Sequence, residues 1–430
     1  MPLPVVQDYK DSTFLKVLLL ICFFFTFAKI KTPFFDFYYY YFIIIAALPF
    51  FLIKYKTVPK NIILIFFILL LIGIANVLFG SDALDLLIKV WAGAIASYVF
   101  YYYIIKYYNF DLSRLFSIYI KGAVVVSFLG LFQVVAYQLQ LKWGYDYSWL
   151  GLNGIRAYTG LDNGLMGLYP IHSIYGEPAH FGCGIAPASF VALNNIFTKK
   201  QYYISRTYSV IIILAMILTT ATTAYFALFI GLLILIINSR GFGSFIFLIS
   251  TSPLLFFYLY NNNNKFQGRI DSIIALFQDD SSLRVALLSS SGSVRIWADN
   301  FVVAYRNFFD HILFGTGLGS HAIAYFKYSL IPSWHEDYGM NYNDANSLFS
   351  RLLSETGLLG IVSLIAFLFL YNVKRTNKNT LYWLLNKSSL VIILTFLLRQ
   401  GHYFSYALPL FILMYYYSSS KGNTGSLCDL

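Results

Sequence analysis

The sequence predicts an all-α polytopic membrane protein of about twelve transmembrane helices with two long outward-facing loops. Three observations lead there. The 430 residues are 59% hydrophobic and only 11% charged, with a mean hydropathy of +0.66, a composition outside the range of soluble domains. Apolar runs of membrane length recur along the chain. Two polar stretches, 139–178 and 261–345, interrupt that series.

In chain order, spans are expected at 12–29, 34–53, 61–79, 84–105, 114–138 and 179–197. The run 207–238 is too long for one crossing and is broken by Thr219, Thr220, Thr222 and Thr223, so it divides into two short spans joined by a turn. Further spans follow at 245–260, 346–371, 381–398 and 403–418. The organisation is therefore 1–138 helices, 139–178 first outer loop, 179–260 central helices, 261–345 second outer loop, and 346–430 helices with a tail. Met1 to Lys16 is largely polar and the run Val17 to Ala28 has no small-x-small cleavage site, so an uncleaved first span is expected.

Basic residues set the orientation. Lys54, Lys56 and Lys60, then Lys106 and Arg114, Lys199, Lys200 and Arg206, Arg240, and Lys374, Arg375 and Lys378 fall on alternate connections, which are expected to be cytoplasmic together with both termini. The net charge of +11 is spread over these span ends and forms no dense patch, so nucleic acid is not an expected partner. Of the three cysteines, Cys22 and Cys183 lie in apolar runs and Cys428 in the tail, leaving the outer loops without disulfides. The aromatic clusters Phe37 to Phe42 and Tyr415 to Tyr417 read as interfacial belts and lipid-facing surface.

Chemistry is expected at the outer face. Among Arg269, Arg284, Arg295 and Arg306, Arg295 stands out: Trp297, Phe301, Val302 and Tyr305 make its segment an amphipathic helix on the membrane, holding a guanidinium at headgroup depth. The bland alternative is a solvated charge or a partner of a nearby aspartate. Gly315-Thr-Gly-Leu-Gly319 lacks the context of a nucleotide loop and reads as a tight turn returning that helix to the membrane. Glu177 precedes Pro178 at a helix start, where it serves either as a cap or as a general base, with His180 one turn on as a lesser candidate. Arg399, His402 and Asn346 reach the same depth as substrate-binding candidates, and Asp344 can cap the helix that Asn346 begins. Arg351 and Glu355, one turn apart, are expected to pair. Lys89 lies about one and a half turns inside the outer end of its span, where snorkelling and a substrate contact are both readings; Lys121, about two turns inside the cytoplasmic end, reads as snorkelling.

With Arg295-x-Trp297, the Gly315 to Gly319 turn and Asn346-Ser-Leu-Phe-Ser-Arg-Leu-Leu-Ser-Glu-Thr-Gly-Leu-Leu-Gly360 in one loop and the span after it, the chain resembles the bacterial O-antigen polymerase and ligase superfamily. Gly176-Glu-Pro-Ala-His-Phe-Gly182 is similar to the Glu-Pro motif of the polymerase branch. Two departures count against the ligase branch: Ala345 stands where ligases usually carry a histidine, and Thr222-Thr223 where they often carry Ser-Arg. The resemblance implies a GT-C-like, metal- and cofactor-independent glycosyltransferase, active at the periplasmic face of the inner membrane. Its donor and acceptor would be undecaprenyl-pyrophosphate-linked glycans, with membrane lipids and a chain-length regulator as further candidate partners. Catalysis would fall to Glu177, Arg295 and His180, and substrate binding to Arg295, Arg399, His402, Asn346 and Lys89. His335-Glu-Asp337 lacks the helical two-histidine zinc spacing. A ligase and a lipid-linked oligosaccharide flippase are the rival readings.

Overall fold

A computed structural model describes residues 13–26, 28–31, 36–57, 59–80, 83–150, 168–238, 280–289, 292–331, 340–376 and 380–424, with single positions between 257 and 274. Most of the expected span at 245–260 and of the Asn261–Asn264 turn, together with Arg240, Arg269, Lys378 and His335 to Asp337, lies outside these described residues.

The first half runs α1 Thr13–Phe24, a two-stranded hairpin of β1 Lys29–Lys31 and β2 Asp36–Tyr38, then α2 Tyr39–Tyr55, α3 Lys60–Leu78, α4 Leu84–Tyr107, α5 Leu112–Gln138 and a short α6 Lys142–Tyr145. It continues with α7 Pro178–Gly184, α8 Ala186–Thr198, α9 Arg206–Leu218 and α10 Thr222–Asn238. The second polar stretch contributes α11 Asp280–Ser289, α12 Gly292–Asp310 and α13 His321–Tyr328. Then follow α14 Leu348–Leu370, α15 Thr380–Arg399 and α16 Leu408–Thr424. Helices α3, α4, α5, α14 and α15 are each long and apolar enough to cross a membrane, and α7 with α8 makes a sixth if the bent pair is one span. Four apolar helices, α1, α2, α9 and α10, are shorter, at 12 to 17 residues. Helix α15 is the centre of the bundle, with 67% of its apolar window buried, whereas α3 is peripheral at 11%.

Three interruptions shape the bundle. The expected break between α9 and α10 is present: Thr220 takes a left-handed conformation (φ 53°), and the buried Thr219 hydroxyl donates to the Met216 carbonyl and accepts from the Ala221 amide. The expected single span at 179–197 is instead two helices meeting at 64°. Pro187 is the cause, because it has no N–H to offer the Cys183 carbonyl and its ring crowds that position. The third break, at Gly357 inside α14 (φ 58°, ψ −150°), is one the residue pattern does not announce.

The glycine turn fills that third break. Thr316 and Gly317 donate their amides to the freed carbonyls of Ser354 and Glu355, and Leu358 and Leu359 donate to the carbonyls of Ile312 and Leu313. The Asn307 side chain adds a bond to the Ser354 carbonyl at 3.0 Å. A broken membrane helix needs such substitutes, since lipid supplies none. A Cβ at Gly315 would fall 2.5 Å from the Glu355 carbonyl carbon, and one at Gly357 2.6 Å from the Gly315 nitrogen, so the two backbones meet only because both residues are glycine. The Gly315 to Gly319 segment is thus a turn, as expected, and also a backbone splint.

The helices α11 to α13 enclose a small core of their own, built on Leu287, Val302, Val303, Tyr325 and Met340. Val302 therefore faces inward, while Trp297, Phe301 and Tyr305 stack along α12 and Phe309 meets Tyr305 edge to face, with Tyr305 and Phe309 exposed. The aromatic clusters depart from a simple belt in the same way. Tyr39 and Phe42 face outward, but Tyr40 and Tyr415 are buried, and Tyr415 donates to the Leu368 carbonyl at 2.6 Å.

Candidate functional site

Five of the residues singled out in the sequence meet in one polar cavity of about 160 Å³. Glu177, His180, Asn346, Arg399 and His402 line it, together with Thr26, Tyr38, Asp344 and Tyr406. Most of them sit at or just beyond the end of a helix or strand: Thr26 after α1, Glu177 before α7, Asn346 before α14, and Arg399 and His402 at the end of α15. The polar investment is thus made where helices stop.

Glu177 occupies the N-cap position of α7, and its backbone carbonyl accepts from the amides of His180 and Phe181. Its side chain makes no capping bond and is exposed. The carboxylate is therefore not committed to holding the helix, which is what the capping reading required. His180, on the first turn, stacks on Tyr406 with ring centroids 5.9 Å apart, and Tyr406 stacks in turn on Tyr175. Tyr406 and Ala407 both adopt left-handed backbone (φ 51° and 55°), an unfavourable choice for residues with a Cβ that positions the tyrosine ring at the cavity.

The opposite wall is the loop before α14. Asp344 does not cap α14 as expected; Ser347 does, accepting the Ser350 amide and donating to the Leu397 carbonyl. Asp344 instead accepts the Asn346 amide through one oxygen and meets His402 Nε2 at 3.0 Å through the other. Burial alone would raise its carboxyl, but His402, the Asn346 amide and Arg351 outweigh burial and hold it at about 2. Ala345 and Asn346 are both left-handed (φ 56° and 52°), and this places the Asn346 side chain against the cavity, 5% exposed. Its oxygen accepts from Asn341, while its amide nitrogen has no hydrogen-bond partner among the described residues. A buried amide donor at a cavity wall suits a ligand oxygen.

Beneath this wall the expected Arg351–Glu355 pair is formed at 2.9 Å with both side chains buried. Arg351 also donates to the Gly401 carbonyl and lies over the Tyr403 ring, and the Tyr403 hydroxyl donates to Glu355. Gly401 must be glycine, since a Cβ there would overlap the Asp344 carbonyl oxygen at 1.3 Å. Two residues flanking His402 are thereby tied to α14.

Arg295 lies elsewhere. Its guanidinium donates to the carbonyls of Leu287 and Leu288 and closes the C-terminal end of α11. It does not line the cavity, and the bonds it makes tie α11 to α12. Arg399 stays at the cavity and donates to the Ser293 carbonyl at 3.1 Å, while Trp297 donates to the Leu398 carbonyl, which seats the start of α12 on the end of α15. Lys89 is exposed on α4 and is not brought to the cavity. Asp344, Thr26, Tyr38 and Tyr406 are additions. Asp344 was visible only as a cap, and nothing local marks Thr26 or Tyr38 as neighbours of residues more than 300 positions away.

His321, fully buried on α13, donates through Nε2 to the Asn300 side-chain oxygen (3.1 Å), and Asn300 donates to the Met340 carbonyl at the base of the Asp344 loop. Burial and the Arg351 guanidinium push its imidazole from 6.5 down to about 3. A histidine kept neutral in the fold but able to charge when unfolded stabilises fully above pH about 6.5 and loses that contribution as pH falls toward 3. The purified protein is expected to melt at a lower temperature at pH 5 than at pH 7, and His321→Asn to flatten the difference. An undiminished difference in that variant would remove His321 as its source.

Fold and site together define a helical protein with membrane-length apolar helices and a polar cavity at their ends. No protein-family model matches the chain, and no curated protein matches it either.

Proposed function

We propose that this protein is a membrane glycosyltransferase of the O-antigen polymerase type, joining undecaprenyl-pyrophosphate-linked repeat units at the periplasmic face of the inner membrane. The observation that carries the reading is the meeting of Glu177, His180, Asn346, Arg399 and His402, drawn from separate chain segments, in one cavity at helix ends. A transporter would concentrate its polar groups near mid-helix on broken spans. Here the break at Gly357 is sealed by backbone from the glycine turn, and in the bent pair of α7 and α8 the polar residues Glu177 and His180 stand at the start of α7 and not at the bend.

In the reaction, an acceptor sugar hydroxyl attacks the anomeric carbon of the donor glycan. The bond from that carbon to the pyrophosphate oxygen breaks, and the pyrophosphate leaves with the bonding electrons. Glu177 takes the hydroxyl proton. Arg399 and the Asp344-held His402 meet the charge growing on the leaving group, and the Asn346 amide orients a phosphate or sugar oxygen. Pyrophosphate is a good leaving group, so fixed positive charge is worth more here than a strong acid.

The test is the purified protein in vesicles with a lipid-linked repeat unit. Wild type is expected to lengthen the glycan on its lipid carrier, Arg399→Ala to slow this by about 100-fold, and Arg399→Lys to recover only part, because a lysine lacks the planar fork. Movement of the substrate across the bilayer with no increase in glycan length would replace the reading with a flippase. Transfer only to a lipid A core acceptor would replace it with a ligase.

A further inference from the structure

The polar cavity is layered by charge. No acidic or basic residue that lines it is fully buried: Glu177 is exposed, and His180, Asp344, Arg399 and His402 are partly exposed. The buried residues of the lining are Thr26, Asn346, Gln400, Ser405 and Tyr406, each neutral and able to hydrogen-bond. A charged rim therefore stands over a neutral floor. Two floor groups stand apart from the rest. The hydroxyl of Thr26, a residue 4% exposed, and the amide nitrogen of Asn346 have no hydrogen-bond partner among the described residues. Leaving a buried hydroxyl and a buried amide unpaired costs free energy, and here both line the same small space.

We infer, resting on the reaction proposed above, that Thr26 and Asn346 bind the sugar ring joined to the pyrophosphate and so select which glycan is extended. The two layers suit the two halves of that substrate. A pyrophosphate is held by charge, and the rim carries Arg399 and His402. A sugar ring is uncharged, and its hydroxyls both donate and accept. The Thr26 hydroxyl can do both, and the Asn346 amide donates. At about 160 Å³ the cavity is smaller than the ~300–1,000 Å³ of sites for drug-sized ligands, so it suits one ring, with the rest of the repeat unit outside. The anomeric carbon joins the two halves and then lies where floor meets rim, the layer to which Glu177 belongs. Selectivity follows because a ring without the matching hydroxyls leaves the buried groups unpaired.

Binding of two probes to the full-length protein in one detergent, measured by thermophoresis, decides it: undecaprenyl pyrophosphate, and the same lipid carrying the repeat unit extracted from the producing cells. Wild type is expected to bind the glycan-bearing lipid more tightly. Thr26→Val keeps the side-chain shape and loses the hydroxyl, and Asn346→Gly keeps the left-handed backbone and loses the amide. Each is expected to weaken binding of the glycan-bearing lipid by roughly tenfold and to leave the bare lipid unchanged, whereas Arg399→Ala weakens both. Thr26→Ser should bind like wild type, and Thr26→Val should melt with wild type, because the lost hydroxyl has no partner among the described residues. Equal binding of the two probes by wild type, equal loss of both in Thr26→Val, or loss of neither in both floor variants overturns the inference, whatever the transfer assay reads. The expected pattern of binding without any extension of the glycan upholds the sugar contact and fails the proposed reaction instead.

Discussion

Glu177→Asn is expected to abolish glycan extension, by about 100-fold or more, while folded protein accumulates at the wild-type level. Asparagine keeps an oxygen able to cap a helix and loses only the ability to take a proton. The structure sharpens this test, because the Glu177 side chain makes no capping bond although it stands at the N-cap of α7. Removing it therefore takes no helix-holding bond away, and Glu177→Ala should insert and fold nearly as well. Extension by Glu177→Asn at the normal rate, measured as polymer length on the lipid carrier, would make Glu177 dispensable. The proton would then pass to His402, held by Asp344, or to His180 on the next turn.

Glu355→Ala is expected to cost stability by about 3–5 kcal/mol, because it leaves the Arg351 guanidinium buried without its counter-charge. The pair is nearly solvent-free, at 4% and 0% side-chain exposure. The loss should reach the site, since Arg351 also holds the Gly401 carbonyl next to His402 and the Tyr403 hydroxyl loses its acceptor. Replacing both charges, as in Arg351→Met/Glu355→Leu, should be much milder, because no charge is then stranded. Thermal melts of the three proteins in one detergent separate the cases. If Glu355→Ala melts with wild type, the pair does not organise this end of α14.

Much of the helical layout was legible because its determinants are local. Runs of apolar residues give α3, α4, α5, α14 and α15, four threonines mark the break between α9 and α10, and a spacing of four residues pairs Arg351 with Glu355. The sharp bend between α7 and α8 was also written locally, in Pro187, but an unbroken apolar run hides a proline more readily than a threonine cluster.

The amino-acid sequence by itself determined that this chain is built of membrane-length helices and that Glu177, His180, Asn346, Arg399 and His402 come at helix ends. Only the tertiary structure decided that these five share one cavity, that Arg295 closes α11 elsewhere, that Asp344 holds His402 and not a helix, and that Val302 faces a core of its own. The reason is physical. A helix in water shows by its polar stripe which face is buried, whereas a helix in lipid is apolar on both its buried and its exposed faces. Depth can then be counted along the chain, but lateral position is set by close packing between distant segments, such as Gly401 against Asp344 and Gly315 against Gly357.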